Sequence, residues 1–211
     1  MTSNAAVVVS VNVGEPRTVV WRGRSVTSAI WKHPVDGPVP VDGVNLNGDD
    51  QADRRVHGGP DKAVYSYSTE HYAWWSSQVG ALSPGTFGEN LTISGIDFDA
   101  ARIGDRWRIG SALLEVAQPR QPCFKLGIRM DDDTFPDRFA AAQRPGIYLR
   151  IVEGGTVAAG DTIEVVPTEL PAISILSLVE DNDDVAFLRQ VAADSRVPDG
   201  WRRAAQRALR H

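Results

Sequence analysis

From residue 5 to residue 168 the chain is a train of short β-prone runs cut apart by glycine turns. The runs fall at 5–13, 19–21, 25–30, 41–46, 63–67, 91–93, 107–109, 113–116, 147–152 and 162–166. Arg22-Gly23, Gly110-Ser111 and Gly160-Asp161 stand between neighbouring runs and suit tight turns, because these residues accept the left-handed backbone that hairpins need. Strands so short and so closely spaced leave little room for crossover helices. The absence of a regular strand–helix alternation argues against a doubly wound fold and for a mainly β, barrel-like domain with helical insertions. One insertion opens at Ser68, an N-cap, with Glu70 in its first turn, and runs to Val79 before Gly80. Tyr72, Trp75 and Val79 recur there at helical spacing and read as core contacts. Two shorter helical patches follow at 124–130 and 134–143.

The character changes after Pro167. Three short amphipathic segments at 173–180, 183–193 and 198–209 predict a three-helix appendage, with Asp199 as a candidate cap of the third. The expected division is therefore a barrel domain over 1–168, with its motifs between about 30 and 166, and an appendage over 169–211. About forty residues bury little surface alone, so the appendage should dock on the barrel. A length of 211 residues with 42% hydrophobic side chains supports a genuine core. The net charge of −5 argues against nucleic acid as a partner. No apolar run is long enough to span a bilayer, and the amino terminus lacks the form of a signal peptide, so a cytoplasmic protein is expected. One cysteine excludes an internal disulfide and any cysteine-only metal site.

Three polar clusters break the apolar pattern, and functional side chains favour such loops. The first is 48–62, where Arg55, His57, Gly58, Gly59, Asp61 and Lys62 crowd around a Gly-Gly-Pro turn. Its glycines let a ligand approach the backbone, its cations suit an anion, and His57 can exchange a proton near neutral pH. Alone, it also reads as a solvated charged loop. The second is Phe87-Gly88-Glu89-Asn90, with a ring to stack on a flat ligand and an amide to read a heterocycle edge. The third is Gln118-Pro119-Arg120-Gln121-Pro122-Cys123-Phe124-Lys125. Two prolines stiffen the approach, while Arg120 and Lys125 bracket the sulfur. The helical patch beginning after Pro122 puts Cys123 at a helix start, which also favours a thiolate. Such a sulfur can act as a nucleophile or bind a soft metal. Cys123 paired with His57 or His71, and a zinc site from His57, His71, Cys123 and a carboxylate, both remain open on spacing alone. His71 sits on the Ser68 helix and reads more simply as structural.

Taken in order, V-H-G-G-P-D-K-A-V, H-Y at 71, P-G-T-F-G-E-N-L, I-G-D at 103, Q-P-R-Q-P-C-F-K-L and G-I-Y-L-R at 146 resemble the MOSC domain family, in its YiiM-like bacterial branch. The resemblance covers nearly the whole chain and is loosest after residue 168. It implies a β-barrel that binds the molybdenum cofactor, a pterin dithiolene carrying a phosphate, with Cys123 as the protein ligand to the metal. It also implies reduction of N-hydroxylated compounds such as hydroxylamines and hydroxylaminopurines, with electrons from a separate reductase. Carried over position by position, His57, Asp61, Lys62, Phe87, Glu89 and Asn90 would line the site, with Arg120 and Lys125 facing the anionic cofactor. Arg55, Gly58, Gly59, Gly88 and Gln118 complete the expected cofactor-binding set, and His57 is the candidate proton donor. A competing reading from another class is a non-catalytic carrier of the cofactor, or of sulfur as a Cys123 persulfide. The sequence leaves the oligomeric state undetermined.

Overall fold

In the computed structural model, residues 5–51, 58–169, 171–180 and 182–210 are described. Arg55 and His57 therefore lie outside the described residues. The strands are β1 (Val7–Val13), β2 (Arg17–Trp21), β3 (Arg24–Ser28), β4 (His33–Val35), β5 (Val39–Asp42), β6 (Asn45–Leu46) and β7 (Val64–Ser68). Helix α1 (Thr69–Val79) precedes β8 (Leu91–Ser94), β9 (Arg106–Ile109) and β10 (Ala112–Pro119). Helices α2 (Phe124–Met130) and α3 (Phe135–Ala141) lead to β11 (Ile147–Glu153), β12 (Gly155–Val157) and β13 (Ile163–Val166), and α4 (Val185–Ala193) and α5 (Asp199–Ala208) close the chain.

Eight strands form one mixed sheet in the order β13-β9-β10-β11-β7-β8-β1-β4. A three-stranded sheet, β12-β5-β6, and the β2-β3 hairpin are separate. The hairpin turns at Arg22-Gly23, both at positive φ, as the sequence predicts. Among the described residues the architecture is thus mainly β with five α-helices. Among the described residues the ladder of the large sheet is open, ending at β13 and β4, and the expected closed barrel is not found. Among the described residues, β1 meets the start of β13 through a single antiparallel bridge, Val7 to Thr162. Two backbone bonds flank it: Val8 N–H donates to Asp161 O at 2.9 Å and Ile163 N–H to Ala6 O at 2.9 Å.

The pair β7–β8 is parallel, with α1 as its crossover, so the chain contains one strand–helix–strand unit among antiparallel neighbours. Ser68 caps α1 as expected, its Oγ accepting from His71 N at 3.0 Å. Of the three C-terminal segments, the first is only a one-turn 3-10 helix, Leu176–Leu178, in which Leu178 N–H donates to Ile175 O at 3.3 Å and Val179 N–H to Leu176 O at 3.0 Å. Asp199 occupies the first turn of α5 and pairs with Arg202 and Arg203; Pro198 takes the cap position. Ile173, Ile175, Leu178, Val191, Val197 and Ala205 from this region belong to the same hydrophobic cluster as the large sheet. A second, mostly aromatic cluster joins α1, α3 and β7 through Tyr67, Tyr72, Trp75, Phe87, Phe135 and Phe139, and α2 through Leu126.

His71 points into the protein, with Nε2 3.7 Å from Asp99 Oδ1 and, among the described residues, no hydrogen-bond partner at Nδ1. Burial pushes its pKa down to about 4, against a partial opposing pull from Asp99. The folded imidazole therefore stays neutral in a range where the unfolded one binds a proton. Stability is fully present above the unfolded value, about 6.5, and is lost as pH falls toward about 4. Urea unfolding of the wild type should lose on the order of 2 kcal/mol more than His71→Leu between about pH 7.5 and about pH 4.5. Equal losses in both proteins would show that His71 does not carry this pH dependence.

Candidate functional site

The site begins with a loop pressed onto a strand-like segment. In the loop at 83–90, Gly85 and Gly88 adopt φ of 83° and 75°. A Cβ at Gly85 would stand 2.6 Å from Lys32 O, and one at Gly88 would stand 2.9 Å from Ile30 Cγ1. Glycine is required at both positions because the loop backbone lies directly on residues 30–32. That contact turns Phe87 and Glu89 inward and Asn90 toward a cleft.

The cleft is open to solvent and has a cavity volume of about 100 Å³. Lys32, Asp49, Asp50 and Gln51 line one side; Lys62, Tyr65 and Asn90 line another; Arg120, Cys123, Lys125 and Tyr148 complete it. All three clusters singled out in the sequence contribute. Cys123 is half-buried and caps α2 with extended backbone, φ −137° and ψ 169°, as the position after Pro122 predicts. The irregular register between Val116 and Gln118 in β10 precedes this stretch. A bulge there bends the strand end and redirects the chain at Pro119 into the cleft wall.

Arg120 ties the third loop to the second. Its Nη1 donates to Phe87 O, and its guanidinium lies 4.9 Å from the Tyr65 ring centroid. Burial opposes its charge, but the facing phenols of Tyr65 and Tyr148 and the Cys123 thiol hold its pKa above the usual range. Burial lowers the Lys62 pKa, with Asp61 and Cys123 pulling the other way, and Lys62 and Cys123 line the same cleft.

Several expected contacts lie elsewhere. Phe87 is fully buried, 4.6 Å from Tyr67 and 5.0 Å from Tyr72 between ring centroids, so its ring is committed to the aromatic core and does not face a ligand. Glu89 is fully buried as well, and its Oε1 accepts from Tyr72 Oη at 2.6 Å, Gly85 N at 2.7 Å and Thr92 Oγ1 at 2.9 Å. Burial pushes its carboxyl above the usual range, against the hydrogen bonds from Tyr72, Gly85 and Thr92, and among the described residues Oε2 has no partner. Asp61 bonds Arg150 Nε at 2.6 Å, and Gln118 spans from Asp61 to Trp201, so both serve as framework beside the cleft. Gly59, at φ 94°, starts the 3-10 turn Pro60–Lys62 next to half-buried Gly58. Gly88 lines the cleft, as expected. His71 lines two other cavities and not this one, which removes it from a pair with Cys123. Among the described residues no group of three or more His, Cys, Asp or Glu side chains could hold a metal ion, so the zinc arrangement is not found there.

Sequence reasoning missed Lys32. Its ammonium bonds Asp49 Oδ1 in an ion pair whose side chains are 8% and 2% exposed. Asp49 also accepts from Gly14 N at 2.9 Å and Asn90 Nδ2 at 2.8 Å, and Asn90 Oδ1 accepts from Tyr65 N at 3.0 Å. Desolvation lowers the Lys32 pKa, and Asp49 opposes it. A lysine after the apolar run Ala29-Ile30-Trp31 reads as the end of a strand, and no local pattern links it to an aspartate seventeen positions on. Nor does any local pattern show that Asn90 braces this pair.

The family model of the MOSC domain matches residues 53–164. YflK of Bacillus subtilis is 33% identical over 200 residues, covering 92% of this chain and 90% of that protein. YiiM of Escherichia coli is 36% identical over 143 residues, which is 66% of this chain and 64% of that protein. A Gibberella moniliformis protein named Reductase is 34% identical over 161 residues, 74% of this chain but only 28% of its own length. The crystal structure of YiiM from Geobacillus stearothermophilus superposes with a TM-score of 0.80 at 31% identity, covering 97% of this chain and 99% of that one. Among the described residues no helix is long and apolar enough to cross a membrane.

Proposed function

The chain belongs to the MOSC domain family, and on that premise we propose that the cleft holds the molybdenum cofactor and that the loaded protein reduces N-hydroxylated compounds. The observation that carries this reading is the placement of the sole thiol. Cys123 shares one cleft with Arg120 and Lys125 of its own loop and with Lys32 and Lys62 from two other segments, in a chain whose net charge is −5. A soft sulfur donor among cations is the donor set that a thiolate-ligated metal on an anionic pterin requires.

In this reading Cys123 Sγ ligates the metal, and a pterin dithiolene makes further protein sulfur unnecessary. When bound, the cofactor supplies the two-electron redox centre for converting N–OH to N–H and water. Lys62, Lys125 and Arg120 hold its negative charge. Lys32 is already matched by Asp49, so its part is to fix the cleft wall. Burial keeps the Tyr148 hydroxyl protonated and able to donate a hydrogen bond at the cleft. Each turnover consumes two electrons and two protons, and a separate reductase is the electron donor. His57 is the proton donor proposed from the sequence; an unchanged pH–rate profile in His57→Ala would remove it from that role.

The test is anaerobic purification from a cofactor-competent host, followed by metal analysis and turnover of a hydroxylamine or hydroxylaminopurine with reduced viologen. Stoichiometric molybdenum with turnover is expected. Stoichiometric molybdenum with no turnover of any N-hydroxy compound would assign the chain as a carrier, and neither would overturn the reading.

A further inference from the structure

Lys62 ends a three-residue 3-10 turn that buries none of its own side chains. A single turn of this kind does not hold itself in place, because its one or two hydrogen bonds do not cover the entropy of ordering it. Its position must come from outside. Gln118 Nε2 donates to the Asp61 carbonyl at 3.0 Å, and Gln118 Oε1 accepts from Trp201 Nε1 of α5 at 3.0 Å. A second line reaches the same residue. Arg150 Nε donates to Asp61 Oδ1 at 2.6 Å, and Arg150 Nη2 donates to the Arg196 carbonyl between α4 and α5 at 2.7 Å. Arg150 is itself fixed by Glu115 Oε1 at 3.0 Å. Both lines thus start in the C-terminal segment and end on the residue immediately before Lys62.

We propose that the C-terminal segment positions the Lys62 ammonium toward Cys123 in the cleft, acting through Trp201 and Gln118. Trp201, Gln118, Arg150 and Asp61 are positioning residues. None of these four lines the cleft, whereas Lys62 and Cys123 both do. The inference concerns the protein's own geometry and stands whether or not the cofactor reading does.

Because Cys123 is the only cysteine, alkylation reports on it alone. The probes are iodoacetate, which is anionic, and iodoacetamide, which is neutral. The ratio of their rates cancels changes in nucleophilicity and access and leaves the local potential. The full chain is produced in a host lacking the pterin cofactor, so that the thiol is not ligated. Lys62→Met should lower the iodoacetate-to-iodoacetamide ratio about tenfold, the lower end of the focusing that cationic clefts produce. Trp201→Phe, which keeps a ring but loses the N–H, and Gln118→Met should each lower it about threefold, and together no further, since they break one line in series. On the Lys62→Met background neither should change it. An unchanged ratio in Trp201→Phe and Gln118→Met would overturn the proposal, and so would an unchanged ratio in Lys62→Met or independent additive effects of the two strut variants.

Discussion

Cys123→Ala is expected to abolish molybdenum retention and to lower turnover of a hydroxylamine at least about a thousandfold, on the order of 4 kcal/mol in transition-state free energy. The fold should be nearly untouched. The side chain is half-buried, and the α2 cap at Cys123 uses no side-chain hydrogen bond, so the helix start does not depend on the sulfur. Stability should therefore change by less than about 1 kcal/mol. The measurement pairs metal analysis and viologen-driven turnover with a urea titration on the same preparation. Retained molybdenum in the variant would remove Cys123 as the ligand. A large loss of stability would instead make the sulfur part of the framework.

The second large effect is on stability. Asp49→Ala leaves the Lys32 ammonium buried without its counterion and removes the acceptor for Gly14 N and Asn90 Nδ2. An uncompensated buried charge of this kind costs about 3–5 kcal/mol, enough to move the urea midpoint far outside error. The double variant Lys32→Met/Asp49→Leu should recover most of that loss, because it removes both charges and fills the space. A double variant as unstable as Asp49→Ala would show that the bonds to Gly14 and Asn90 matter more than the charge. Either result bears on the cleft. Asn90 connects Asp49 to the backbone of Tyr65, so loosening the pair should also loosen the wall that faces Cys123.

The elements of the fold were legible to within a residue or two in several cases, for a local reason. Ser68 and Gly80 bracket α1, and Arg22-Gly23 turns the hairpin, because capping and positive φ are decided by the residues themselves. The C-terminal region was less legible. The apolar spacing at 173–180 reads as a helix, but Ile173, Ile175 and Leu178 are spaced to reach the core of the sheet and leave only one 3-10 turn. The candidate site divides in the same way. Cys123, Lys62, Asn90, Arg120 and Lys125 were found through the glycines and prolines around them, which local chemistry makes conspicuous. Phe87 and Glu89 carry the same local signal and were placed on the wrong side. The backbone at Gly85 and Gly88 lies against residues 30–32, and that long-range contact decides which side chains of the loop face inward.

What the sequence by itself determined was a mainly β chain with one thiol and three polar loops, and the family to which that order of motifs belongs. Turn chemistry, helix caps and the identity of each charged group are properties of neighbouring residues, so a string suffices for them. Only the tertiary structure decided that Val7 of β1 bridges to Thr162 just ahead of β13, that Lys32 meets Asp49, and that Trp201 reaches Gln118 across 83 positions. Each of these is a pairing between distant segments whose free energy comes from desolvation and hydrogen bonding in a shared interior. No periodicity within either segment records it.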